Sequence, residues 1–376
     1  MAEDDKNNIG ASIRTAEVVL PCDELVPTLS FFTDRLGFRI DSVRPADNPT
    51  VAVLSGHGIR IRLVRGLEGH PSVLRLACDD PGAVADGATA LTAPNGTHIE
   101  LVDANPAVEL PTNQPAFVLH QLSGDANWIV GRAGMRYRDL IPDRQGGRFI
   151  ASHIHIPDAG PVPDYVHFHK IRFQMIYCYK GWVRVVYEDQ GPPFELQAGD
   201  CVLQPPAIRH RVLECSSDLE VIEIGCPAEH ETCADHELEL PTENHRPERD
   251  FAGQRFVRHI AADATWQPWR IDGFQCRDTG ISAATDGLVS ARIARAHGPS
   301  RGSTRLSNDA EAELLFYFVL RGTVTLSTLE AQTSEEQPGH RLQSGDSVVI
   351  PGAMDHELAA WSDDFELLEV ALPPVA

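Results

Sequence analysis

The stretch VHFHKIRFQMIYCYKG, residues 166–181, followed by GDCVLQPPAIRH, residues 199–210, carries the pattern from which the fold is read. Side chains alternate along a β-strand, so His167 and His169 share one face. A later strand through His210 can bring a third imidazole beside them. Three neutral imidazoles at one point are a donor set for a divalent cation. Short alternating apolar runs such as Val183 to Tyr187, with Gly or Pro at the turns, read as strands of an antiparallel jelly roll.

The pattern repeats. Phe117, Val118 and His120 recur as Phe256, Val257 and His259, and Gly134, Arg138 and Asp139 as Gly273, Arg277 and Asp278. Further along, Gly181 answers to Gly322, and Gly199, Asp200, Pro205, Ala207 and His210 answer to Gly345, Asp346, Pro351, Ala353 and His356. Two copies of one barrel are the simplest account. The positions answering to His167, His169 and Gln174 fall near Asn308, Ala310 and Leu315, so the second copy is expected to be structural, with His356 left without partners. Glu311, Glu313 and His297 are the residues nearby from which a rearranged site would be built.

These residues resemble the two signature motifs of the cupin superfamily. His167, His169, Gly181, Gly199, Pro205 and His210 stand where that family has them, whereas Gln174 replaces a glutamate and Ala207 a glycine. The resemblance implies a bicupin with a metal held by His167, His169, Gln174 and His210. An amide in place of a carboxylate leaves the full double charge of the cation, which favours an anionic chelating substrate. By resemblance Fe(II) is the expected metal; Mn, Ni, Cu, Zn and Co also suit such donors.

Around this centre His153 and His155 are expected as acid or base, with Arg172 beside them, and Tyr165, Arg211, Cys178 and Glu214 as substrate-binding or wall residues. Cys226, His230, Cys233 and His236 lie in an acidic stretch whose spacing fits no zinc knuckle, and they are expected in a solvated linker.

Residues before the repeat read differently. A strand Glu17 to Pro21, a helix Leu25 to Leu36 ending at Gly37, a hairpin Val51 to Leu54 with Ile59 to Val64, and a shorter unit from Val73 to Val102 are expected. The run Phe31, Phe32, Asp34, Leu36, Gly37, Phe38 resembles glyoxalase-type, vicinal-oxygen-chelate domains, built of βαβββ modules. Glu17 and Glu100 fall at two plausible ligand positions of that family, but Arg62 and Arg75 occupy the other two and cannot ligate a cation. Arg60, Arg62 and Arg65 are expected on a solvated strand face.

The expected organisation is thus mainly β: a tail over 1–12, a small α+β domain over 13–105, a metal-binding barrel over 106–245 and a degenerate barrel over 246–376. With 376 residues the chain exceeds one ordinary core. Its 32 basic against 54 acidic residues, a net charge of −22, oppose nucleic acid and anionic membrane as partners. The eight cysteines form no disulfide framework, and neither a secretion signal nor a membrane span is read, so a cytoplasmic protein, a homodimer by expectation, follows. The expected activity is that of a non-heme Fe(II) dioxygenase acting on a phenolic, hydroxy acid or enolisable diketone with dioxygen. The alternatives are a metal-dependent isomerase, lyase or decarboxylase, and a non-enzymatic small-molecule binder.

Overall fold

A computed structural model describes residues 13–122, 128–298, 302–329 and 339–373; the tail expected over 1–12 lies outside them. The chain divides into two compact units, Met1–Ala107 and Val108–Ala376.

In the first unit, strand Val18–Cys22 runs parallel to Ile59–Arg65, and the sheet continues through Val51–Gly56 to Arg39–Arg44. With the helix Leu25–Ser30 and the wider turn Phe31–Arg35 after the first strand, the order is βαβββ. Alternation decides which faces are buried: Ile61 and Leu63 sit in the core with Phe32, Phe38 and Leu54, while Arg60 and Arg62 point away from it. The arginines are not simply solvated, for Arg62 Nε donates to Glu17 at 2.7 Å and Arg60 pairs with Glu17 and Asp41. Glu17 therefore answers two guanidiniums. The chain stops its helical course at Gly37, whose φ of +73° favours glycine. A three-stranded sheet, Val73–Cys78, His98–Asp103 and Ala90–Thr92, completes the unit. The strand Arg39–Arg44, exposed along its whole length, was not legible from alternation.

The second unit consists of two jelly-roll barrels. In the first, a seven-stranded sheet containing Phe173–Lys180, Leu219–Cys226 and Ile150–Ile156 faces a sheet built on Trp182–Tyr187, His210–Cys215, His167–Lys170 and Glu231–Ala234. The second barrel repeats this with Leu314–Arg321, Glu366–Leu372 and Ser290–Ala296 against Thr323–Leu329, Asp355–Ala359 and Ser303–Leu306. The two seven-stranded sheets share the largest apolar cluster, in which Phe149, Phe173 and Met175 meet Phe316, Phe318 and Leu368. Each of these strands thus buries one face between the barrels and turns the other into its own barrel.

The boundary between the copies is crossed twice. Strand Val118–His120 pairs with Ser347–Val349 of the second barrel, and Val257–His259 pairs with Cys201–Leu203 of the first. Each copy therefore lends its leading strand to the other. Gly181 and Gly322 adopt φ of +75° and +70° at the equivalent turns where the chain passes from one sheet of its barrel to the other, and a Cβ at either would collide with a serine hydroxyl, Ser216 or Ser362. Ala207 and Ala353, equivalent positions of the two copies, also take left-handed φ, +60° and +62°. Among the described residues no helix is long and apolar enough to cross a membrane.

Candidate metal centre

His167 and His210 are direct cross-strand partners, and this register sets their rings 4.2 Å apart. His169, two residues on and on the same face, lies 5.3 Å from each. One ring nitrogen from each of the three lies within 4.8 Å of the others. Their tautomers are set by the backbone: His167 Nδ1 is 2.8 Å from the Tyr165 carbonyl oxygen and His210 Nδ1 is 3.0 Å from that of Ile208. A carbonyl only accepts, so Nδ1 carries the proton in both rings; the Nε2 lone pair of His210 is left for the interior, and that of His167 accepts from the Arg132 guanidinium at 3.2 Å. His169 Nδ1 lies 3.0 Å from the Thr232 hydroxyl.

Burial and mutual proximity keep these rings neutral. His169 is pushed down to about 3, first by burial and then by His230, His167 and Arg132. Burial also lowers His167, helped by Arg132, and holds His210 well below its ordinary value. Three neutral imidazoles, two of them with tautomers fixed by backbone carbonyls, are a donor set that fits a divalent cation.

The tripod opens into a cavity of about 390 Å³, lined largely by apolar residues such as Ile150, Ile154, Ile176, Val185 and Leu196. Gln174 reaches it as expected. Its Nε2 donates to Glu223 Oε1 at 2.5 Å. Glu223, on Leu219–Cys226, is the one carboxylate lining the cavity among the described residues. Arg132 also lines it; one guanidinium nitrogen lies 3.2 Å from His167 Nε2, and another binds the fully buried Asp164. Asp164 in turn accepts from the Val212 amide at 3.0 Å. At the inner wall, Gln204 Nε2 donates to the Tyr187 hydroxyl at 3.0 Å.

The remaining expected site residues are not brought together. His153 and His155 have the parity opposite to Ser152 and Ile154, which face the cavity. His153 instead lies between the barrels, bonded to Arg138 at 2.9 Å and Glu220 at 2.7 Å and touching Phe318. His155 is 3.3 Å from Asp218, outside the cavity. Arg172 pairs with Glu313, as does Arg148, which also removes Glu313 from any site in the second barrel. Arg211, next to His210 on its strand, necessarily points outward and is exposed. Glu214 pairs with Arg184 at 2.7 Å. Cys178 has the inward parity but ends in packed core, its thiol pushed up to about 12 by burial. Tyr165 is 41 % exposed, its ring 5.9 Å from His167, and it contributes its carbonyl rather than its side chain.

The expected linker is a strand. Glu231–Ala234 pairs with His167–Lys170, which carries His230 and Thr232 to the cavity and sets the His230 ring 5.2 Å from His169. Cys226 is buried in the inter-barrel cluster instead, and among the described residues the only metal-capable group of this kind is the histidine trio. The missed residue Glu223 had left a signal: a glutamate on the inward parity of an apolar strand, repeated in the second copy as Glu369.

No family model matches the chain, and no curated protein matches it. Solved structures do. A mutant of Bacillus subtilis oxalate decarboxylase aligns with a TM-score of 0.51 and 12 % identity over 73 % of this chain and 81 % of that one. A structure of the same enzyme concerned with its Mn(II) centres gives 0.50 and 12 % over the same shares. Lactobacillus farciminis oxalate decarboxylase in complex with formate gives 0.47 and 14 %, over 72 % and 88 %. At such identities the likeness of the first two shows the fold alone, a pair of tandem jelly-roll barrels.

Proposed function

We propose that this chain is a metal-dependent cupin enzyme acting on a small anion with adjacent oxygen donors, and that it performs decarboxylation, lyase or isomerase chemistry at that anion. One observation carries the reading. A tripod of neutral imidazoles shares an apolar cavity with a single carboxylate, Glu223, and a single guanidinium, Arg132. His167, His169 and His210, with the Gln174 amide, would hold a divalent cation, whose contribution when bound is Lewis-acid stabilisation of negative charge on substrate oxygens.

The protein's own groups complete the chemistry. Arg132, fixed by buried Asp164, is placed to bind a substrate carboxylate by charge-assisted hydrogen bonds. Glu223 is placed to take a proton from the substrate and return it to carbon. The apolar walls exclude water and strengthen each of these interactions. Mn(II), named for one of the structural neighbours, and Fe(II), expected from the motif, are the metals to load first.

A second reading, Fe(II)-dependent dioxygenation, rests on the motif resemblance, and the neutral donor set leaves the cation's full charge for an enolate or catecholate ligand. One experiment separates the two. Protein loaded with Mn(II) or Fe(II) is offered a panel of keto, hydroxy, dicarboxylic and phenolic acids, in air and under argon. Product at an undiminished rate under argon is expected. Stoichiometric oxygen uptake would transfer the assignment to a dioxygenase, and tight binding of panel members without turnover in either gas would make the chain a binder.

A further inference from the structure

We infer that Glu223 is the carboxylate of the metal centre, moved one strand away from the position at which a glutamate ligand would stand, and that it acts on the cation through the Gln174 amide. This rests on the metal reading above. The register produces the pair: Gln174 faces Gly225 and Ile176 faces Glu223, so Gln174 and Glu223 are diagonal neighbours on the cavity side.

The hydrogen bond between them fixes the amide. Gln174 Nε2 is the atom turned to Glu223, which leaves Oε1 of the amide for the cavity. A carbonyl-type oxygen is a neutral donor for a hard divalent cation. Glu223 thereby orients a ligand and polarises it, supplying by relay the negative charge that the amide lacks. The carboxylate oxygen not bonded to Gln174 remains for proton transfer.

The second barrel shows what a carboxylate in this register does. Glu369 stands opposite Tyr317 as Glu223 stands opposite Ile176, and it is neutralised by the Arg270 guanidinium. In the first barrel, among the described residues, no lysine or arginine forms an ion pair with Glu223. Position 131, which answers to Arg270 at the constant offset of the repeat, is glycine. The same carboxylate thus meets a protein cation in one copy and, in the other, lines the cavity that the imidazole tripod also lines.

Mn(II) alone is the probe, with binding followed by electron paramagnetic resonance on the full chain. Glu223→Gln is expected to weaken Mn(II) binding about 10- to 100-fold, and Glu223→Asp to recover part of the loss. The exchange Gln174→Glu with Glu223→Gln, which keeps the net charge and the hydrogen-bonded pair, is expected to return affinity to near the parent level with an altered Mn(II) spectrum, since the carboxylate then becomes a ligand. Parent-like affinity in Glu223→Gln, or an exchange variant no tighter than Glu223→Gln, would overturn the inference. If the parent itself binds no Mn(II), or if His210→Ala binds it equally well, the metal reading is what fails.

Discussion

In the first barrel Glu223 looks into a cavity of about 390 Å³, whereas in the second Glu369, in the same register, is sealed beneath Arg270 and Tyr317. Two replacements separate the copies: Ile176 becomes Tyr317, and Gly131 becomes Arg270. The tyrosine hydroxyl lies 3.1 Å from His356 Nε2, so the histidine that survives from the motif is tied into an Arg–Glu–Tyr–His network. The other motif positions are used for structure, Asn308 donating to the Ile350 and Pro351 carbonyls and Leu315 joining the apolar core. A jelly roll can keep its strands and lose its site by filling the space above the ligands with side chains that satisfy the same polar groups internally.

The sharpest way to break this comparison is to remove the carboxylate from each barrel in turn. Glu369→Gln leaves the Arg270 guanidinium without its charge partner in a buried setting and should cost about 3–5 kcal/mol in urea unfolding. Glu223→Gln, which strands no arginine, should cost about 1 kcal/mol or less. Similar losses from both would mean that the two carboxylates serve one structural purpose. Metal loading comes next: His210→Ala should reduce bound metal, measured by elemental analysis after dialysis, roughly 100-fold or more, because one of three donors is lost and two neutral rings hold a cation poorly. His356→Ala should leave the metal content unchanged, and a loss there would show the second barrel to be a live site.

Acid sharpens the contrast further. Burial, and then Arg270, pushes His356 down to about 4. Below an unfolded value near 6.5 the unfolded chain takes up a proton that the folded chain refuses, so stability present above that pH is lost progressively as the pH falls towards 4. This histidine should account for about 2–3 kcal/mol of the loss. Urea midpoints at pH 7 and pH 4.5 should therefore differ less in His356→Gln than in the parent; an equal difference would place the sensitivity elsewhere. The smallest effect is expected at Arg211, beside His210 but on the outer face: Arg211→Ala should change stability by about 0.5 kcal/mol at most and leave metal loading intact. A lost metal in that variant would mean that the strand's parity is not as described.

The repeat and the resemblance of its residues to the cupin motifs made the two-barrel architecture and His167, His169, Gln174 and His210 legible, because each motif lies in one short stretch and alternation fixes that His167 and His169 share a face. It failed for His153, His155 and Arg211 because parity must be referred to a layer. Ile150–Ile156 is covered on both sides, by its own cavity and by the other barrel, so a histidine at either parity finds a buried environment. His230 was missed for a different reason: an acidic, polar stretch reads as linker, yet Glu231–Ala234 is held as a strand by the backbone of His167–Lys170 rather than by an apolar face of its own.

What the sequence determined by itself was the repeat, the tripod and the loss of that tripod in the second copy, all set by short motifs recurring at an offset that grows only from 139 to 146 residues. Tertiary structure decided the rest: that leading strands are exchanged between barrels, that Glu223 meets Gln174 and that Arg270 closes over Glu369. These depend on register between strands distant in sequence. Backbone hydrogen bonding sets that register one residue at a time, and a shift of one residue would turn either carboxylate to the opposite face of its sheet.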